Sequence, residues 1–252
     1  MQCEWDRFNG VTIVADSIPD EASRFAEELA TVQRECLARQ GRIIWLHLPI
    51  RHAHLIALAT GLGFVFHNCH PDQLTLVFTP AADTFVPFAP THTLGAGALI
   101  LNPRGELLTI REHGMLGYKL PGGHVELGEP IATAIEREVY EETGIHACLH
   151  SIAGFTTRYP AAFGRTDLYL ICRLTAHSEQ IAIQDHDEIA EARWMALSEY
   201  LHDERNAPFN RQLVAELHQR QGLHPTEPVN NQGPYRKQET FFAASPSGAC
   251  IE

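Results

Sequence analysis

Lysine is almost missing from this 252-residue chain. Lys119 and Lys237 are the only two, and with Arg the cations total 19 against 31 Asp and Glu, a formal net charge of −12 with the 15 His neutral. A broad basic surface for nucleic acid is thereby excluded, because binding a phosphate backbone takes clustered Lys and Arg. Long apolar runs are lacking too. The longest nearly apolar stretch, IIWLHLPI at residues 43–50, falls far short of the roughly 20 residues a membrane-spanning helix needs. The start MQCEWDRF is acidic and carries no apolar h-region, so a cytoplasmic location and no membrane partner are expected. Cysteine is sparse and scattered. Cys3, Cys36, Cys69, Cys148, Cys172 and Cys250 form no C-x-x-C pair, which points to free thiols in a reducing compartment rather than disulfides or a zinc ribbon. What is present, 44% hydrophobic and 20% charged residues, is the composition of a folded globular chain.

Punctuation divides the chain. Pro80, Pro87 and Pro90 fall in PAADTFVPFAP at residues 80–90, which has neither helical nor strand periodicity and reads as a linker. Before it, strands are expected at 10–15, 42–48, 64–67 and 73–78, with helices at 19–39 (Phe25, Leu29 and Val32 on one face) and 51–62. That order suits a small α/β layer. After it, strands are expected at 94–101, 106–111, 148–155, 167–174 and 190–195, with helices at 130–143, 197–201 and 209–221. The stretch from 223 to 252 contains Pro225, Pro228, Pro234 and Pro246 and reads as a tail that is loosely ordered unless it docks on the body. The expected divisions are therefore 1–88, 92–222 and 223–252.

The informative segment is GGHVELGEPIATAIEREVYEETGI at residues 122–145. Pro130 suits the first helical position and Gly144 suits a left-handed cap just past the last one. Ala132, Ile135 and Val139 make an apolar stripe, and Glu138, Glu141 and Glu142 gather about a quarter turn away from it. Like charges at this spacing oppose a helix. Arg137, roughly 100° round from Glu138, cannot neutralise all three. Two readings are open: a solvated acidic face, the usual fate of a charge run, or a site for a hard divalent cation, which takes carboxylate and phosphate oxygens. Across residues 123–145 six Glu face one Arg, a local net of −5. Nearly half of the chain's net charge thus sits in under a tenth of its length.

Gly123, Glu129, Arg137, Glu138, Val139, Glu141, Glu142, Gly144 and Ile145 match every fixed position of the Nudix box, G-x5-E-x7-R-E-U-x-E-E-x-G-U with U a bulky aliphatic. Tyr118-Lys119-Leu120-Pro121-Gly122-Gly123 is similar to the lead-in that commonly precedes it. The chain therefore resembles a Nudix hydrolase over about residues 92–221. The resemblance implies an α/β/α sandwich with a mixed sheet, and hydrolysis of a nucleoside diphosphate linked to another moiety by metal-activated water. It also implies Mg²⁺ or Mn²⁺ on Glu138, Glu141 and Glu142, with a backbone carbonyl of Gly123 or Gly122 as a further ligand. Glu129 and Arg137 would pair to hold the loop against the helix, and Gly122 and Gly144 would have structural roles. The general base would be a box carboxylate such as Glu142 or a later loop carboxylate, Glu188, with Glu191 the alternative in QDHDEIAEARW at 184–194.

Arg grips phosphate through a fork of paired donors, so Arg111, Arg158 and Arg165, together with Lys119, are the candidates for substrate contact; each also fits an ordinary solvated position. Tyr118 or Phe163 fits stacking on a base or simple packing. Pro160 stands where ADP-ribose hydrolases of the family often have a proline. The segments around Phe8-Asn9-Gly10-Val11, Trp45-Leu46-His47-Leu48-Pro49, Thr91-His92-Thr93-Leu94-Gly95 and Phe163-Gly164-Arg165-Thr166-Asp167 resemble a two-domain Nudix group. That group includes plant ADP-ribose and NADH diphosphatases and the animal protein encoded antisense to a fibroblast growth factor gene. Its leading domain is acetyltransferase-like; the acetyl-CoA pyrophosphate loop is missing here, so a dimerising or substrate-shaping role is expected. ADP-ribose or NADH is the implied substrate, and the alternative is a non-catalytic nucleotide-sensing regulator or binding protein. His67-Asn68-Cys69-His70 suggests a metal site only weakly, because neighbours on one strand point to opposite faces.

Overall fold

The computed structural model describes residues 1–227 and 239–244, and the chain divides into two compact units, Met1–Thr91 and His92–Glu252. No helix among the described residues is long and apolar enough to cross a membrane.

In the leading unit the elements run β1 (Cys3–Trp5), β2 (Gly10–Ile13), α1 (Ala22–Ala38), β3 (Ile43–Pro49), α2 (Ile56–Gly61), β4 (Val65–His70) and β5 (Gln73–Phe78). The sheet order is β1-β2-β3-β5-β4, with β2 and β3 parallel and the other pairs antiparallel. Alternation on β3 buries Ile44, Leu46 and Leu48, and α1 lays Phe25, Leu29, Val32 and Cys36 into the same core at helical spacing. The helix expected at 51–62 is split. Residues Ile50–Leu55 form a 3₁₀ turn with His52 outside helical geometry, and only Ile56–Gly61 is α-helical. The His67 to His70 run lies along β4, where His67 Nε2 bonds the Pro87 carbonyl at 2.7 Å. Neither there nor elsewhere among the described residues are three or more His, Cys, Asp or Glu side chains already arranged to hold a metal ion.

The second unit runs β6 (His92–Leu99), β7 (Glu106–Glu112), β8 (Gly122–His124), α3 (Ile131–Thr143), β9 (Ala147–Arg158), β10 (Thr166–Ala176), β11 (Ile189–Ala196), α4 (Leu197–His202), α5 (Pro208–Leu217), β12 (Leu223–Thr226) and β13 (Thr240–Ala243). A six-stranded sheet has the order β13-β12-β9-β10-β6-β8, and β11 pairs with β7 separately. Only the β10–β6 pair is parallel in the larger sheet. Alternate residues of its central strands feed two cores. Ala96, Ala98, Leu170 and Cys172 join Ile135 and Val139 of α3, whereas Leu99 and Ile171 join Tyr200 of α4 and Val214 of α5. The sheet is thus covered by helices on both faces, a mixed-sheet α/β/α arrangement.

The tail, expected to be loosely ordered unless it docks on the body, is docked in its described parts. Its described parts are the paired strands β12 and β13, joined to the sheet where Leu223 meets Ile152 of β9; residues 228–238 and 245–252 lie outside the described set. Glu239 also accepts hydrogen bonds from the backbone N–H of Ile131 (2.7 Å) and Ala132 (3.4 Å). The carboxylate serves the donors that Pro130, at the N-cap, leaves without a side-chain cap.

Candidate active site

Helix α3 begins one residue later than expected and ends at Gly144, whose φ of 72° is left-handed. A Cβ there would overlap the Ala182 carbonyl oxygen, so glycine is required by the approach of that loop as well as by the turn. The buried face is Ala134, Ile135, Val139, Glu142 and Thr143. Ala132 is only half-buried, and Glu142, three residues after Val139, lies on the apolar stripe itself rather than beside it. Its side chain is 5% exposed and accepts one hydrogen bond, from the Gly122 N–H at 2.6 Å.

Burial therefore dominates Glu142 and pushes its pKa up to about 8 against the pull of Lys119 and the Gly122 N–H; Glu138 and Glu188 push it further upward. Glu138 is also raised, by burial first, although Arg137 opposes this. Arg137 does more than expected. Its Nε and Nη2 donate to the two oxygens of Glu129 (3.0 and 3.2 Å), and its Nη1 donates to both Glu138 and Glu141 at 3.0 Å. The hydrogen bond from Arg137 holds Glu129 below the ordinary carboxylate range. Three carboxylates share one guanidinium, and Glu142 has none.

The loop before β11 closes over the end of α3. The backbone N–H groups of Ala182, Gln184 and Asp185 donate to the Thr143 and Glu141 carbonyls at 2.8–3.0 Å, satisfying acceptors that a helix end leaves free. This placement brings Glu188, an exposed residue, near enough to raise the pKa of both Glu138 and Glu142. Glu191 is engaged elsewhere. It accepts from Arg111 Nη2 at 3.1 Å, and bonds from Arg111 and Tyr118 lower its pKa.

A cleft of about 450 Å³ opens against Gly122 and Gly123. Glu129, Glu138, Glu141 and Glu142 do not line it; Glu142 accepts from the Gly122 N–H, and Glu138 is so close to Gly123 that a Cβ there would lie 2.7–2.8 Å from its carboxyl atoms. Of the expected substrate contacts, Lys119 and Arg158 line the cleft, and Arg111 and Arg165 do not. Lys119 also pairs with Glu112. Phe163, 98% exposed with φ of 57°, and Phe209 of α5 supply aromatic walls. Asp167, Thr93 and Tyr169 line it too, and sequence reading assigned them no role. One signal existed: Gly95 and Gly97 recur at strand spacing in β6, and the Tyr169 ring occupies the space where their side chains would be.

A family profile described as the NUDIX domain matches residues 91–217, and a second, described as the Nudix hydrolase domain, matches residues 1–79. The chain belongs to the Nudix hydrolase family. It is 30% identical over 224 residues to "Nucleoside diphosphate-linked moiety X motif 6" of Homo sapiens, covering 85% of this chain and 71% of that protein. "Nudix hydrolase 7" of Arabidopsis thaliana is 32% identical over 220 residues, 84% of this chain and 76% of the plant protein. The MutT protein of Methanosarcina mazei Go1 superposes with a TM-score of 0.44 at 23% identity, over 52% of this chain and 96% of that structure.

Nudix hydrolases in general use divalent metals such as Mg²⁺, and the residues present suit such an ion. The candidate ligands, the carboxylates of Glu138, Glu141 and Glu142 and the Gly123 carbonyl, are all oxygens, the preference of a hard cation, and Glu142 is a buried carboxylate without a cationic partner in contact. Glu138 and Glu141, however, rest on Arg137. A bound ion would share or take these oxygens from the guanidinium rather than enter a ready-made cage.

Proposed function

We propose that this Nudix hydrolase cleaves the diphosphate of a nucleoside diphosphate linked to another moiety, with ADP-ribose or NADH preferred, in the presence of Mg²⁺ or Mn²⁺. One observation carries the reading. The buried carboxylate of Glu142, with Glu138 and Glu188 near it, stands directly behind the Gly122-Gly123 wall of a cleft that also presents Lys119 and Arg158. The human relative's name refers to nucleoside diphosphate-linked moieties, in keeping with this cleft.

A divalent ion on Glu138, Glu141, Glu142 and the Gly123 carbonyl would neutralise diphosphate oxygens and lower the pKa of a coordinated water. The chain's own groups do the rest. Lys119 and Arg158 receive phosphate charge, and Glu188, exposed at the loop beside the box, is the general base that takes the proton from the attacking water. Glu129 and Arg137 hold the loop and the helix carboxylates in register. Phe163 and Phe209 offer flat apolar faces to a base, and 450 Å³ lies within the range of small-molecule pockets. The test is a panel of ADP-ribose, NADH, FAD, coenzyme A, dinucleoside polyphosphates and nucleoside triphosphates with Mg²⁺ or Mn²⁺. Cleavage concentrated on ADP-ribose or NADH, lost in Glu141→Gln and Glu142→Gln with nucleotide binding retained, supports the proposal. No cleavage of any member overturns it.

A further inference from the structure

Thr93, Asp167 and Arg158 stand in one row across three neighbouring strands. Register pairs Asp167 of β10 with Thr93 of β6 on one side and with Arg158 of β9 on the other. The row is bonded throughout. Thr93 Oγ1 donates to Asp167 Oδ1 at 3.0 Å, and Arg158 Nη2 donates to Asp167 Oδ2 at 2.8 Å. Asp167 is 7% exposed, whereas the Arg158 side chain is 68% exposed and lines the cleft. Burial works to raise the Asp167 pKa, but the bonds from Arg158 and Thr93 outweigh it and hold the group ionised.

Stability alone is a poor reason for this layout. An ion pair whose cation is mostly in water contributes little, while withdrawing the carboxylate from water is costly. Orientation is a better one. A free Arg samples many rotamers and loses that freedom when it binds an anion, so anchoring one N–H beforehand leaves less to lose. Among the described residues Arg158 has no other hydrogen-bond partner, so the rest of its fork is available to the cleft.

Resting on the reading that the cleft takes a nucleoside diphosphate, we propose that Asp167, braced by Thr93, is a positioning residue that fixes the Arg158 guanidinium to grip a substrate phosphate. Asp167, whose two oxygens are taken by Thr93 and Arg158, acts through Arg158.

The experiment is a double-mutant cycle on the full chain with Asp167→Asn, Arg158→Gln and the double variant. ADP is the binding probe, measured by calorimetry with Mg²⁺, and kcat and KM are taken on whichever panel member is cleaved. Asp167→Asn should weaken ADP binding and raise KM by roughly 5- to 30-fold with kcat nearly unchanged, and the double variant should be no worse than Arg158→Gln, as expected for residues acting as one unit. Should Asp167→Asn fold poorly, Thr93→Val keeps the charge and loosens the brace, and its smaller rise in KM should vanish in the Arg158→Gln background. Equal losses from Asp167→Asn with and without Arg158 overturn the proposal, as does unchanged binding, or no ADP binding by the wild type at millimolar concentration. Because ADP binding needs no turnover, an uncleaved panel with an intact cycle sinks the hydrolase reading alone, and a cleaved panel with an additive cycle sinks the positioning role alone.

Discussion

Replacing Glu142 by Gln should stabilise the metal-free protein, although it removes a box carboxylate. The folded chain holds this group at a pKa of about 8 and the ordinary value is 4.5. Between those values the folded state binds a proton that the unfolded state has released, so stability falls as pH rises from 4.5 through 8. At about 1.4 kcal/mol for each tenfold change in proton affinity, the loss is roughly 3 kcal/mol at pH 7 and approaches about 5 kcal/mol above pH 9. Gln keeps an oxygen for the Gly122 N–H but adds an amide with no partner there, an offset of about 1 kcal/mol. Urea denaturation in EDTA should therefore show Glu142→Gln close to wild type at pH 5, about 2 kcal/mol more stable at pH 7, and 3–4 kcal/mol more stable at pH 9, each figure being approximate. Mg²⁺ should reverse the order, since an ion bound only by the folded state stabilises the wild type more than the variant. A difference between the two proteins that is the same at pH 5 and pH 9 would refute the reasoning.

A Cβ in Gly123→Ala meets first the carboxyl end of Glu138, a flexible group, so the melting temperature should hold while kcat falls by about 100-fold, the cost of misplacing a site group by roughly 1 Å; an unchanged kcat means Glu138 is not needed where it stands. Gly144→Ala meets the backbone at Ala182 and a φ of 72°, so chemical denaturation should show a loss of more than about 3 kcal/mol, exceeding the 1–2 kcal/mol of left-handed strain alone. Glu188→Gln should lower kcat by about 100-fold or more. Glu191→Gln should leave kcat within about threefold of wild type, since that carboxylate is engaged by Arg111 and Tyr118 and a general base must reach the attacking water; the opposite ranking in steady-state kinetics would exchange the two roles. Glu239→Ala should cost about 1 kcal/mol in thermal or urea melts through loss of the helix cap, and no loss would mean water serves Ile131 and Ala132 equally well.

What could be read in advance follows from the range over which each feature is encoded. The box and α3 were legible because their constraints are local: a fixed spacing, a proline before the helix and a glycine after it. The five predicted strands of the second unit were legible from alternation, to within a few residues at their ends. Strands β1 and β8 were not, being three residues long and held by pairing partners rather than by any pattern of their own. Strands β12 and β13 were not legible in the tail either, because prolines discount a strand, whereas these two are short and draw their order from β9 and from each other. The Thr93, Asp167 and Arg158 row had no sequence signature at all. Its hydrogen bonds join residues 74 and 9 positions apart, and only the register of β6, β9 and β10 brings them together.

The largest change concerns charge. Six Glu against one Arg across residues 123–145 suggests a helix that repels itself along its length. The structure disperses most of that repulsion without any ion. Glu129, Glu138 and Glu141 share Arg137, and Glu136 accepts the Leu149 N–H at 2.9 Å. Glu142 alone is both buried and without a cation in contact, and Glu188 adds its charge from the facing loop. Of the carboxylates in the box, the one that costs most to ionise is therefore Glu142, behind Gly122 and Gly123, which holds its proton up to a pH of about 8. A divalent ion that displaces this proton gains most because the surroundings there are least watery and the attraction is least screened. That point is also where the cleft brings phosphate oxygens, so one cation can answer both the buried carboxylate and the substrate's charge.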